Sequence, residues 1–359
     1  MFKRFLRRII YGFLVLWGVV TLVFILFNVL PGDPARMMLG QRSDMQTVEM
    51  IQKELGLDRK LVVQYARYLN DLSPVSVYNT SDPETYFYFI ADRYSGYLRV
   101  LTLNGISLIL KTPYLGISYQ NQRTVFDMIV DVIPATFLLA VTAIIFAFIA
   151  GLFIGILCAV GKDTWFDRFS LILSTIGVSM PSFFTAILFG WFFAFVLADV
   201  THLNLTGNIY EIDDYGVGKT LRLKNLILPA VTLGVRPLSI IIQLSRNAML
   251  DVLGQEYIRT ARAKGLRFSR IILHHALRNS LNPVITAVSG WFASLMAGVV
   301  FIEYIFGWKG LGYLIVNALN QYDMPVVLGS VITIAAFFVL INILVDISYA
   351  LLDPRVRRD

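Results

Sequence analysis

The chain has 359 residues, of which 57% are hydrophobic and 15% charged, with a mean hydropathy of +0.67. Such a composition belongs to a polytopic membrane protein, so the net charge of +7 reflects basic loops facing anionic lipid and acidic partners, not nucleic-acid binding. The single cysteine, Cys158, excludes an intramolecular disulfide framework and a Cys-based metal cluster, and it sits in an apolar run where packing explains it.

The N-terminus, MFKRFLRRIIYGFLVLWGVV, has a basic start and an apolar core like a signal peptide, but no small-residue cleavage site follows. Residues 9–30 span roughly 33 Å at about 1.5 Å per residue, enough for an uncleaved first membrane span. LPGDP at 30–34 then stops the helix. Residues 31–127 form the one long polar region, expected outside the cytoplasm. It holds helices over 45–57 and 61–72, then a section over 73–113 with strands expected near 86–90 and 97–109.

A second span is expected over 128–160, longer than a bilayer requires and so tilted or projecting. A short loop over 161–168 carries Lys162 and Arg168. The third span, 169–197, contains Pro181, which forces a kink or break. An extracytoplasmic loop over 198–225 precedes the fourth span, 226–250, the least apolar, with Pro229, Arg236, Pro237, Gln243 and Arg246. The fifth, 281–302, is rich in small residues suited to close helix contact. A loop over 303–324 leads to the sixth, 325–352.

The predicted fold class is therefore all-α and polytopic, with six transmembrane helices and a small extracytoplasmic subdomain between helices one and two. Its divisions are 1–30, the cytoplasmic N-terminus and first helix; 31–127, the extracytoplasmic region with an insertion at 73–112; 128–352, a five-helix core including the cytoplasmic loop 254–280; and 353–359, a cytoplasmic tail. Placing both termini and the loops at 161–168 and 254–282 on one side gathers about fifteen Lys and Arg in short segments, which the positive-inside rule assigns to the cytoplasm.

Residues 254–279 read GQEYIRTARAKGLRFSRIILHHALRN, with six Lys or Arg between Arg259 and Arg278. A segment this basic between two spans is a cytoplasmic loop. Tyr257, Ile258, Ala261, Leu266, Phe268, Ile271 and Ile272 interrupt the charges at helical spacing, predicting short amphipathic helices with a bend at Gly265. Tyr257 and Ala261 fall one turn apart, on the face expected to dock a partner.

Sites of catalysis are missing from the pattern. No phosphate-binding loop occurs; GVGKT at 216–220 lacks the first glycine at the required spacing. No His-Glu-x-x-His, Gly-x-Ser-x-Gly or paired-cysteine pattern is present either. Adjacent His274 and His275 point about 100° apart on a helix, a poor metal-ligand pair. Arg236, about 15 Å into its span, is either a residue of the translocation path or the partner of an acid such as Asp346. Arg246, nearer the cytoplasmic end, is expected to snorkel or support the basic loop. Asn342 and Asp346 share a helix face that should point into the bundle, and Gln243 joins them as a candidate pathway residue.

Several stretches resemble a known family. The basic loop is similar to the cytoplasmic motif of ABC-importer permeases, Glu-Ala-Ala, three residues, Gly, nine residues, Ile-x-Leu-Pro. Gly265 and Leu277 match, whereas the triplet falls on Arg259, Thr260 and Ala261, and His275 and Arg278 stand at the Ile and Pro positions. The C-terminal third resembles the B-type permease subunit of dipeptide, oligopeptide and nickel ABC importers. It matches at Glu303, Phe306, Gly310, Leu311, Gly312, Asp323, Pro325, Val326, Gly329, Asn342, Asp346, Tyr349, Asp353, Pro354 and Arg355. With LPGDP, LGLD at 55–58 and Gln64-Tyr65, the likeness covers nearly all the chain outside 73–112. Two departures stand out: Lys309 replaces the family's proline, and Tyr114-Leu115-Gly116 replaces Gly-Asp-Leu-Gly.

The resemblance implies a non-catalytic subunit in the bacterial inner membrane that forms part of a pathway for peptides, with nickel or another small solute as the alternative cargo. It implies pairing with a C-type permease, two cytoplasmic ATPases that hold ATP and Mg, and an extracytoplasmic binding protein. The chain itself would bind no cofactor or metal, and Glu256, Tyr257, Arg259, Thr260, Ala261, Gly265, Leu266 and Leu277 would dock the ATPase. A membrane enzyme would need a convergent catalytic set, and a secondary transporter internal repeats and several intramembrane carboxylates; the chain shows neither pattern.

Overall fold

The computed structural model describes residues 2–29, 50, 52, 56, 58–83, 85–212 and 218–352. Most of the helix expected over 45–57 lies outside them. Helix α1 is Phe2–Val29, and α2, Leu61–Leu72, coincides with the second expected helix of the polar region. Strands β1 (Val75–Asn79), β2 (Tyr97–Leu103) and β3 (Ile106–Lys111) follow. Then come α3 (Val125–Val160), α4 (Trp165–Ser179), α5 (Ser182–Trp191), a π-helical Phe192–Val196 and a small β4–β5 hairpin (Tyr210–Ile212, Lys219–Leu221). The longer elements that follow are α6 (Lys224–Leu253), α7 (Glu256–Ala263), a π-helical Ile271–Ala276, α8 (Leu277–Ile305), α9 (Leu311–Asn320) and α10 (Met324–Leu352).

Among the described residues, four helical segments are long and apolar enough to cross a bilayer: Leu6–Leu26, Val125–Val160, Lys224–Leu253 and Met324–Val345. Trp165–Ser179 with Ser182–Val196 would make a fifth, bent by 116°. The expected third span is thus broken outright, for a local reason. Residue 181 is proline, so Met180 is disfavoured in the helical region and adopts φ −71°, ψ 133°. The expected fifth span lies within α8, a helix that begins at the end of the basic loop. Residues 303–324, expected as a loop, hold the ten-residue α9.

Two compact units divide the chain. One comprises Ile10–Ile133 and Leu314–Ala336. In it, Val20 and Val23 of α1 pack with Ile332 of α10, against Tyr68, Leu69 and Leu72 of α2. The sheet has the order β1-β3-β2, antiparallel throughout. The expected strand over 97–109 is a hairpin, because Asn104 and Gly105 both take positive φ (48° and 81°), the pattern of a tight Asn-Gly turn. The expected strand over 86–90 reduces to a single bridge from Asn79 to Tyr88. Alternation on β1 and β3 turns Tyr78 and Ile109 inward, onto Phe89 and Tyr94.

Asp71, in the last turn of α2, organises the polar part of that core. Its Oδ1 accepts from the hydroxyls of Tyr78 at 2.5 Å and Tyr94 at 3.2 Å. Buried Lys111 donates Nζ–H to the carbonyls of Asp71 and Ser73, at 2.5 and 3.1 Å, and lies 4.7 Å from the Tyr94 ring centroid. Farther along, the hydroxyl of Ser118 donates to Asp323, whose other oxygen accepts the Tyr119 N–H at 3.1 Å. The chain reaches that bond through Gly116, at φ +97° with Pro325 beside it.

The other unit comprises Met1–Ile9, Pro134–Tyr313 and Phe337–Asp359. Its core gathers Leu139 and Ala143 of α3, Ala186 of α5, Leu228 and Leu233 of α6 and Val299 and Ile302 of α8, closed by Phe306 and Trp308. Helix α6 approaches α3 so closely that a Cβ at Gly155 would fall 2.6 Å from Ser245 Cβ and 2.8 Å from the Ile242 carbonyl oxygen. Cys158 is buried.

Candidate functional site

Helix α6 ends at Leu253 and α7 starts at Glu256, so only Gly254 and Gln255 separate the last long helix from the basic segment. Within α7, Ile258 (0% exposed) and Ala261 (6%) turn inward onto Met249 of α6, Ala159 of α3, and Ile271, Ile272 and Ala276 of the π-helical turn. Leu266 packs half-buried on the same cluster, and Leu277 is half-buried at the start of α8. This corrects the expectation for Ala261: its methyl belongs to the anchoring core of α7, not to an outward docking face. The reason is helical spacing, since Ile258 and Ala261 three residues apart form the apolar stripe that fastens so polar a helix.

Outward-facing are Glu256, Tyr257, Arg259, Thr260 and Lys264. Arg259 pairs with Glu256 at 2.9 Å, both well exposed, and Thr260 donates to the Glu256 carbonyl at 3.1 Å. Tyr257 is 41% exposed while its hydroxyl accepts from Asn279 Nδ2 at 2.7 Å, which holds the ring in place at the surface. Gly265 ends α7 at φ +72° with its N–H donated to the Arg262 carbonyl at 2.9 Å. No atom lies within 4 Å of a Cβ built there, so the backbone turn alone calls for glycine. His274 is exposed and His275 half-buried on the π-helical turn; no group of three metal-ligating residues occurs among the described residues.

Among the described residues, Arg246 is paired with an acid of α4. Its Nε and Nη2 donate to Oδ1 and Oδ2 of Asp167 at 2.6 and 2.7 Å, a two-point pair with the arginine side chain 14% and the aspartate 1% exposed. Asp167 lies in the first turn of α4, whose N-cap Thr164 accepts its backbone N–H, and its Oδ2 also accepts the Asp163 N–H at 3.0 Å. Sequence reasoning missed Asp167. The local signal was the capping pattern Thr-x-x-Asp, but nothing local pairs it with a residue 79 positions away.

Of the four candidate pathway residues, the side chains of Arg236, Gln243 and Asn342 are described. Arg236 is exposed, with its guanidinium 5.6 Å from the Trp291 ring centroid, an aromatic partner the sequence did not suggest. Gln243 is half-buried on α6. Asn342 donates to the Phe338 carbonyl one turn back on its own helix, at 2.8 Å. Asp346 belongs to α10, and its side chain lies outside those described. No hydrogen bond or ion pair joins Arg236, Gln243 and Asn342 to one another among the described residues.

A second polar construction lies at the N-terminus of α9. Fully buried Glu303 accepts the N–H groups of Gly312 and Tyr313 at 2.6 and 3.3 Å, Thr136 accepts from Leu311 at 2.7 Å, and Trp308 Nε1 donates to the Ala135 carbonyl at 3.0 Å. A carboxylate thus satisfies the free donors and positive end of the helix.

The chain is similar to known proteins over nearly its whole length. A family model described as binding-protein-dependent transport system inner membrane component matches residues 151–358, and its N-terminal counterpart matches residues 1–83. The dipeptide transport system permease protein DppB of Alkalihalophilus pseudofirmus is 33% identical over 365 residues, covering 98% of this chain and 98% of its own. DppB of Escherichia coli K12 is 33% identical over 363 residues, covering 95% of this chain and 94% of its own. The glutathione transport system permease protein GsiC of Salmonella paratyphi A is 32% identical over 339 residues, covering 94% of each.

Proposed function

The chain belongs to the family of binding-protein-dependent transport inner membrane components, and from that membership we infer that it is the peptide-conducting permease subunit of an ATP-driven importer. The observation that carries this reading is end-to-end similarity to dipeptide permeases, 33% identity over 98% of both chains. Dipeptide and glutathione permeases are similar to it alike, which favours short peptides over nickel as cargo.

On this reading the subunit is non-catalytic. It crosses the bacterial inner membrane six times, with both termini in the cytoplasm, the broken α4–α5 pair counting as one crossing and α8 as another. It pairs with a C-type permease and takes cargo from an extracytoplasmic binding protein. Two cytoplasmic ATPases bind ATP and Mg and supply the energy. The outward side of α7, with Glu256, Tyr257, Arg259, Thr260 and Lys264, is the surface offered to an ATPase, and its fixed attachment to α6 supports that assignment. For ATP to drive transport, this surface must bind the two ATPase states unequally, because a partner that binds both alike shifts nothing.

The test is reconstitution of the whole complex in proteoliposomes. Expected is uptake of a labelled dipeptide that needs ATP, both ATPases and the binding protein, with no uptake of nickel. Uptake that persists without the ATPases and follows a proton or sodium gradient would overturn the reading.

A further inference from the structure

The exposed side of α7 can receive a partner, but it does not explain how movement there reaches the rest of the subunit. We propose that the part-buried Arg246–Asp167 pair is the strut that carries displacement of α7 into α4, making Asp167 and Arg246 positioning residues for energy coupling. This rests on the importer function inferred above.

The path starts with a joint that has little slack. Two residues separate α6 from α7, and Met249, Ile258, Ala261, Ile271, Ile272 and Ala276 pack the end of α6, α7 and the π-helical turn into one body. A push on α7 therefore moves the end of α6. Arg246 lies about two turns, roughly 10 Å, before that end. There its guanidinium grips Asp167 with both hydrogen bonds near 2.7 Å. A one-point contact would let α4 swivel; a planar fork on a carboxylate fixes direction as well as distance.

The grip falls at the end of α4 where it works as a lever. Asp167 sits in the first turn, and through the Asp163 N–H it also holds the turn that joins α3 to α4. At the opposite end, the backbone breaks at Met180 and Pro181 and changes direction by 116°, so α4 can move as a rod without bending α5. Folding alone is a weak reason for such a pair, since buried ion pairs contribute little net stability over apolar replacements of similar size. Direction of force is a reason that an apolar contact would not supply.

The experiment uses the complete complex in proteoliposomes and measures peptide imported per ATP hydrolysed. Asp167→Asn, and the uncharged double variant Asp167→Asn with Arg246→Gln, should keep both ATPases bound and the protein folded while the ratio falls severalfold. The exchange Asp167→Arg with Arg246→Asp should restore much of it. Import per ATP equal to wild type in either of the two Asp167→Asn variants would overturn the proposal. So would failure of the double variant to assemble, because the pair would then be needed for folding. Loss of ATP dependence in the wild-type complex would instead strike at the importer function itself.

Discussion

Oε2 of Glu303 accepts the backbone N–H of Gly312 at 2.6 Å, so a buried carboxylate at the end of α8 caps the first turn of α9. The approach leaves no room for a side chain: a Cβ on Gly312 would overlap the Cα of Val300 and lie 3.1 Å from that same oxygen. Gly312→Ala must therefore displace either the backbone of α8 or the capping carboxylate. We expect it to lower stability by about 1–3 kcal/mol, the usual range for overpacking. Thermal unfolding of the purified subunit in detergent checks this, and an unchanged midpoint would show that α9 is not seated in this way.

Two neighbouring positions on α7 should respond in different ways. Ala261→Asp places an unpaired carboxylate among Met249, Ile258 and Ile271, at a cost on the order of several kcal/mol, and should unfold the segment before any partner is involved. Arg259→Glu changes a well-exposed group whose pairing with Glu256 is at the surface, so stability should stay within about 0.5 kcal/mol. It should nonetheless weaken ATPase retention if that partner presents acidic groups, and Arg259→Lys should not. Co-purification alongside thermal unfolding separates the two effects; equal ATPase loss in the Lys and Glu variants would argue against an acidic partner surface.

The small sheet should have an unusual pH profile. Burial pushes the Lys111 ammonium down to about 8 from its ordinary 10.5, opposed by the charge of Asp71. Between those values the unfolded segment holds a proton that the folded one has lost, so stability rises with pH across the window and is flat below it. Burial and the nearby Asp71 also raise Tyr78 and Tyr94 above their ordinary 10.0. Above that pH the unfolded segment loses tyrosine protons first, and stability falls again. Hydrogen exchange at the β3 amides, corrected for intrinsic rate, should show opening energies that climb from about pH 8 and turn over near pH 10. Lys111→Met should remove the climb, and a wild-type profile that falls from the start would contradict the placement of this amine.

Membrane topology is open to chemical labelling, and the single native cysteine is buried, so background should be low. Asp82→Cys and Tyr210→Cys should react with an impermeant thiol reagent in intact cells, and Lys264→Cys only after the cells are opened. All three positions are exposed. Labelling of Lys264→Cys from outside would invert the assigned orientation.

Legibility in the sequence followed the range of each interaction. Long apolar runs marked α1, α3, α6 and α10, because a helix in lipid is specified by its own residues. The bend at Gly265 was also readable, since positive φ favours one residue type. The Asn104-Gly105 turn carried an equally local signal, yet alternation over 97–109 hid it by continuing across the hairpin. The inward aim of Ala261 was not readable, because a short amphipathic helix has the same pattern whichever body its stripe is pressed against. Nor was the pairing of Asp167 with Arg246, which depends on how α4 lies beside α6. Helix α9 stayed hidden behind the turn that precedes it, and what seats it is Glu303, eight residues earlier in the chain than Leu311.

The break at Met180 and Pro181 bears on the solvent around it. Proline has no N–H to return to the Gly177 carbonyl four residues earlier, and after the bend the next donors no longer follow the axis of α4. Hydrocarbon offers nothing to a bare carbonyl, so a spanning segment interrupted there needs water or another protein surface at that level of the bilayer. Gly177 is buried, and a Cβ built on it would overlap Ser239 Oγ of α6, so protein as well as water can serve the break; which of the two does so can be followed by the infrared stretching frequency of a carbon-13-labelled Gly177 carbonyl.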